Sequence, residues 1–192
     1  MDEKLMMRGD IIAFELRWNL CENGTMKNKK KKISCLQGAK VLSELSDGNL
    51  TNLQLQKILY FANMLYIGVQ DGEDKEFEAL IENRFVAWPF GPAVEKLHNY
   101  VKQFGNGNVP VDTFSDIASI MDERKEAING YEDEVAILKI AYDKWGKFSA
   151  RELVEISHWP KGAWNATKQA GAEEIDNDLI RNEYYARYNE GG

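Results

Sequence analysis

The chain has 192 residues, of which 44% are hydrophobic, 29% charged and 11% aromatic, with five Trp and eight Tyr. That much apolar bulk offsets the chain entropy of one compact domain and excludes disorder over the whole length. A net charge of −7 argues against general nucleic-acid binding, and two cysteines, Cys21 and Cys35, are too few for a disulfide framework, so a reducing cytoplasm fits best.

Residues 1–26 open with an amphipathic piece, Ile11, Ile12, Phe14, Leu16 and Trp18, followed by the turn signal Glu22-Asn23-Gly24. Glu15 and Arg17 interrupt it, so the basic-then-apolar layout of an export signal is missing. No stretch approaches the roughly 18 apolar residues of a membrane span, so no membrane partner is expected. Lys27 and Lys29 to Lys32 then form a basic run, which reads as a solvated linker, with nucleic-acid contact as its alternative. Met26 is a second candidate translation start. The expected division is an N-terminal extension with a basic linker over 1–33 and a domain over 34–192.

Leu36, Ala39, Leu42 and Leu45 predict a first helix, ended by Asp47-Gly48-Asn49. Thr51 and Gln54 form a capping box, behind which Leu55, Ile58, Leu59, Ala62, Leu65 and Val69 share one face of a second helix that stops near Gly68. From Glu82 to Trp88 the period changes to that of a strand. Pro89-Phe90-Gly91-Pro92 forces a turn, with Pro92 suited to the first position of the next helix, whose buried face is Val94, Leu97, Val101 and Phe104. The acidic stretch Val111 to Gly130 is expected to be helical.

Val135, Leu138, Tyr142 and Trp145 give a further helix with Gly146 as its cap. Ser149 and Glu152 are a second capping box, with Phe148 and Leu153 placed as a hydrophobic staple, and Pro160 ends that helix near His158. Short helices follow from Ala163 to Ala170 and from Asn177 through Ile180, Tyr184 and Tyr188. The predicted fold is mainly α: a single compact helical domain with one small β element near Trp88, plus the N-terminal extension. Residues 1–109 carry 14 Lys+Arg against 14 Asp+Glu, and residues 110–192 carry 10 against 17, so the later part holds the negative charge.

Reacting groups are scarce. His98 reads as a structural residue on a helix, and His158 gains favourable dipole energy at a helix C-terminus without any reaction. Ser157 beside it has no base and orienting acid assignable to it. No cluster has metal-ligand spacing, and no Gly-rich loop precedes a helix to hold phosphate. No catalytic, cofactor or metal residues are therefore expected. The residues that stand out are the aromatic turns Trp88-Pro89-Phe90-Gly91-Pro92 and Trp159-Pro160-Lys161-Gly162-Ala163-Trp164. They read either as core beneath tight turns or as an exposed partner-binding patch.

Leu53-Gln54-Leu55-Gln56-Lys57-Ile58-Leu59-Tyr60-Phe61-Ala62 resembles the opening helix of the Panacea antitoxin domain, the SocA-like group often labelled phage-associated protein. Phe85-Val86-Ala87-Trp88-Pro89-Phe90-Gly91-Pro92-Ala93-Val94 is similar to its second signature, with Phe90 where Tyr is more frequent and Ala93 where Val is usual. Tyr142 to Gly146, Leu153, Ser157, His158 and Trp164, then Ile175, Ile180 and Tyr184-Tyr185, resemble its C-terminal block. The resemblance covers roughly Ser34 to Tyr188. It implies a cytoplasmic, mostly helical antitoxin that neutralises a neighbouring toxin by direct binding, or acts as an adaptor delivering the toxin to a cytoplasmic protease, without a cofactor. The expected partner-binding residues are Tyr60, Trp88, Phe90, Gly91, Pro92, His158, Trp159 and Trp164, and residues 1–33 are expected to help choose the partner. The alternatives are a nucleic-acid-binding autoregulator using Lys27 to Lys32, and a hydrolase built on His158.

Overall fold

The structure, a computed structural model, describes residues 31–70 and 77–188. The amphipathic piece of residues 11–18, Cys21, and Lys27 with Lys29 and Lys30 lie outside the described residues.

The first helix, α1 (Cys35–Leu45), starts at a capping box that the sequence reading had not used: Ser34 Oγ accepts from Gln37 N–H while Gln37 returns the bond to the Ser34 N–H. The second, α2 (Asn52–Gly68), begins at the expected Thr51–Gln54 box. From Leu55 to Gly68 every residue of α2 is buried. A helix apolar on all sides must lie at the centre of its domain, and α2 does so. Around it pack α1, the short α3 (Glu95–Val101), α4 (Glu132–Trp145), α5 (Ala150–Ser157) and α7 (Asn177–Tyr188), with α6 (Ala163–Gln169) resting on α7. Phe61 of α2 meets Trp145 of α4 at 4.6 Å, and Tyr60 meets Phe85 edge-on at 5.3 Å. Gly68 lets α7 approach closely, because a Cβ there would fall 2.0 Å from the Tyr184 ring.

The β element is a hairpin of β1 (Val86–Trp88) and β2 (Gly91–Ala93), paired Val86 with Ala93 and Trp88 with Gly91. On its other edge β1 accepts the segment before α7, through Ala87 N–H to Glu173 O at 2.7 Å and Ile175 N–H to Phe85 O at 2.8 Å. Pro92 is therefore inside a strand, and α3 begins later, after Val94. Having no N–H, Pro92 loses nothing at a position where its carbonyl is the group that is used.

Val111 to Gly130 is not a helix. A 3₁₀ turn spans Val111–Phe114, and an isolated bridge joins Met121 to Ala127. The reason is local: Asp122 Oδ1 accepts from both Arg124 and Glu126 N–H at 2.9 Å, offering the backbone an alternative to helical bonding. The start of the described chain is tied in, since Ile33 is buried and exchanges backbone hydrogen bonds with Leu80 and Glu82 at 2.9 Å. Among the described residues no helix is long and apolar enough to cross a membrane, and no group of three His, Cys, Asp or Glu is arranged to hold a metal ion.

Candidate partner-binding site

One face of α2 interrupts its apolar character with Gln56, Lys57, Tyr60 and Asn63, all buried. Each is a fastening point. Gln56 bonds both backbone groups of Val94, accepting its N–H at 2.8 Å and donating to its carbonyl at 3.2 Å. Lys57 Nζ donates to Pro92 O at 2.7 Å, Tyr60 donates to Glu183 Oε2 at 2.6 Å, and Asn63 Oδ1 accepts from Ile81 N–H at 3.2 Å. A fifth fastening comes from α6, whose Trp164 Nε1 donates to Trp88 O at 2.8 Å. The hairpin is thus held at Trp88, Pro92 and Val94, while its two-residue tip, Pro89-Phe90, stands in solvent.

Phe90 is 69% exposed, the most open large hydrophobic side chain among the described residues. Behind it Trp88 is half-buried and meets the His98 ring edge-on at 5.0 Å. The cleft between hairpin, α2 and α3 has a volume of about 510 Å³, and Trp88, Phe90, Lys57 and His98 are among the residues that line it. Gly91 carries φ +91°, and a Cβ there would sit 2.4 Å from Ser157 Oγ and 2.9 Å from Lys57 Cε. Its missing side chain makes room for both.

The structure therefore brings Trp88, Phe90, Gly91 and Pro92 together with His158 and Trp164. The His158 imidazole stacks on the Trp164 indole at 3.8 Å, and burial together with the nearby Lys57 charge lowers its pKa. Ser157 donates to Val154 O at 2.8 Å, within its own helix, so no nucleophile–base pair forms with the neighbouring imidazole. Tyr60 and Trp159 belong to a different arrangement. Tyr60 is wholly buried against Glu183, and Trp159 lies under the Arg187 guanidinium at 4.5 Å. Of the basic run, Lys31 and Lys32 are described. Lys32 pairs with Glu78 at 2.9 Å and Lys31 lies over the Tyr131 ring.

The sequence reading missed the buried charged residues, Glu183 and Lys57 as well as Glu134. Glu183 gathers Tyr60, the Ala163 N–H at 2.9 Å and Arg187 at 2.6 Å around one carboxylate. Lys57 is 1% exposed, and burial pushes its amine from 10.5 down to about 7. The available signal for Lys57 was a charge set beside core positions of the most regular helix in the chain.

The lowered amine sets a pH dependence. Between pH 7 and 9 the unfolded chain keeps the Lys57 proton that the folded chain gives up, so stability rises with pH in that window. Lys144, pushed down by burial to about 8, adds to the rise. Above pH 9 the Cys35 thiol, pushed by burial up to about 11, opposes it, because the thiol ionises first in the unfolded chain. In urea titrations at pH 7, 8 and 9 Lys57 is expected to contribute a slope approaching about 1.4 kcal/mol per pH unit, to which Lys144 adds toward pH 9, so that the slope is markedly flattened in Lys57→Met. An unchanged slope in that variant rules out Lys57 as its source.

A family model described as Antitoxin SocA-like, Panacea domain matches residues 55–165, more than half of the chain and the stretch that holds α2, the hairpin, His158 and Trp164. No curated protein and no solved structure matches the chain.

Proposed function

The chain belongs to the family described as Antitoxin SocA-like, Panacea domain, and on that premise we propose that it neutralises a toxin encoded beside it by direct protein–protein binding, through the face made by the hairpin tip and the adjoining cleft. The observation that carries this reading is Phe90. A large aromatic ring exposed at the tip of a hairpin fastened at Trp88, Pro92 and Val94 has little reason in folding. Aromatic side chains on preorganised supports are the usual anchors of protein interfaces. The acidic residues after position 110 would draw in a basic toxin and raise the rate of encounter. The residues before Lys31 would add contacts that choose among toxins.

Co-expression with the neighbouring gene tests this reading. The neighbour should arrest growth alone and be harmless with the intact chain present. Phe90→Ala should change stability by less than about 0.5 kcal/mol, as expected of an exposed position, while weakening toxin binding at least tenfold in titration calorimetry. A neighbour that is harmless alone, or full neutralisation by Phe90→Ala, counts against the proposal. The lifetime of the toxin in the same cells separates simple sequestration from delivery to a protease, which shortens it.

A further inference from the structure

We propose that the cleft beside the hairpin is a socket for one carboxylate, an Asp or Glu side chain of the toxin, with Lys57 as the cation that receives it. The inference rests on the toxin-binding reading and adds the chemistry that the site selects. Charge is the first support. Among the described residues the ionisable ones that line the cleft are Lys57, His98 and Lys102, with no Asp or Glu beside them, on a chain whose net charge is −7. An anionic group meets no carboxylate of that lining.

Lys57 is the second. An ammonium has three N–H donors. Its hydrogen-bond acceptor is Pro92 O at 2.7 Å, and it forms no ion pair with any described carboxylate. A buried cation without a counter-charge is unfavourable, and a carboxylate brought against it removes that penalty. The amine pushed down to about 7 by burial is the mark of the same missing partner.

The walls fit a carboxylate on a short apolar stem. Asn52 and Leu53, the first residues of the 17-residue α2, put the positive end of the helix dipole at the cleft. Asn52 Nδ2 lies 3.3 Å from His98 Nδ1, and with the amide donating there the imidazole keeps its proton on Nε2, a donor. Trp88 and Phe90 supply the apolar side, which would cover the methylenes of the inserted residue and keep water from the pair.

The test uses the full chain and the protein encoded by the adjacent gene in an inactivated form. Lys57→Met, which keeps the length and removes the charge, should lose at least about 30-fold in affinity, the loss typical of removing one side of a desolvated charge pair. Lys102→Glu, at the exposed rim, should lose about three- to tenfold, with a changed salt dependence. Among alanine substitutions of the toxin's acidic residues, one should reproduce the Lys57→Met loss and add nothing to it in the double variant. Should Lys57→Met fold poorly, the ¹⁵Nζ resonance of Lys57 in the wild-type chain gives the same answer, moving toward the protonated amine when toxin is added. The socket is overturned if toxin binds wild type and both lysine variants alike, if no acidic residue of the toxin couples to Lys57, or if a DNA or RNA oligonucleotide rather than the toxin shifts the Lys57 resonance. Loss of binding in Phe90→Ala with indifference to Lys57→Met and Lys102→Glu would remove the socket and leave the binding reading standing. No binding by the wild-type chain would remove both.

Discussion

Glu183→Ala is expected to destabilise the protein by about 3–5 kcal/mol, the range for breaking a buried charged network by deleting one member. The Glu183 side chain is 0% exposed. Its Oε2 accepts from Tyr60 at 2.6 Å and from the Ala163 N–H at 2.9 Å, and its Oε1 accepts from Arg187 Nε at 2.8 Å and Nη2 at 2.6 Å. Deleting the carboxylate strands a phenol and a backbone N–H in the interior and unpairs a guanidinium whose side chain is 17% exposed. Among the described residues Arg187 then keeps Ile156 O and the Trp159 ring. Glu183→Gln keeps the oxygen for Tyr60 and Ala163 but places a donor against Arg187, so its loss should be intermediate. Tyr60→Phe removes one of four hydrogen bonds to a carboxylate still satisfied by the others, and should lose about 1 kcal/mol. Denaturant unfolding at pH 7 checks the order Ala, Gln, then Tyr60→Phe. A loss under 1 kcal/mol for Glu183→Ala would mean the network is wetter than its burial indicates.

Gly91→Val is the second severe change, expected to lose at least about 3 kcal/mol from a disfavoured backbone and an overfilled site together. At φ +91° a β-carbon is strained on its own account. It would also stand 2.4 Å from Ser157 Oγ and 2.9 Å from Lys57 Cε, and neither neighbour can retreat from the interior. Two comparisons separate the causes. Gly105 has φ +56° and nothing within 4 Å of a Cβ, so Gly105→Ala should lose only the backbone part, about 1 kcal/mol. Ser157→Ala removes the nearest clashing atom, so Gly91→Ala should be less harmful in that background than in the wild type. Thermal melts of the five variants, the double included, read both effects, and additivity of Gly91→Ala with Ser157→Ala would show that the contact is not the cause.

Local signals carried much of the architecture. The Thr51–Gln54 and Ser149–Glu152 boxes start α2 and α5 as expected, because a cap is decided within four residues. The mainly helical fold is present as expected, and the strand period expected from Glu82 to Trp88 is a strand over Val86–Trp88 alone. Local reasoning failed where side chains compete with the backbone, as Asp122 does, or where a residue serves a distant partner, as the Pro92 carbonyl serves Lys57. The site shows the same split. Trp88, Gly91 and Trp164 could be picked out as aromatic and glycine punctuation. The partners of Lys57 and Tyr60 lie 35 and 123 residues away in sequence, and no periodicity encodes such a pairing. A charged residue is also presumed solvated until a fold shows otherwise, which is why Lys57 and Glu183 passed unnoticed.

Among the described residues the hydrogen bonds that fasten the hairpin, at Ala87, Trp88, Pro92 and Val94, lie beneath its tip, and none involves the side chains of Pro89 or Phe90. Mutational drift at those two positions is consequently uncoupled from folding. A lineage built on this scaffold can exchange the tip residue, and with it the surface that it recognises, while the central helix and its buried polar seam stay under a separate and much stricter selection.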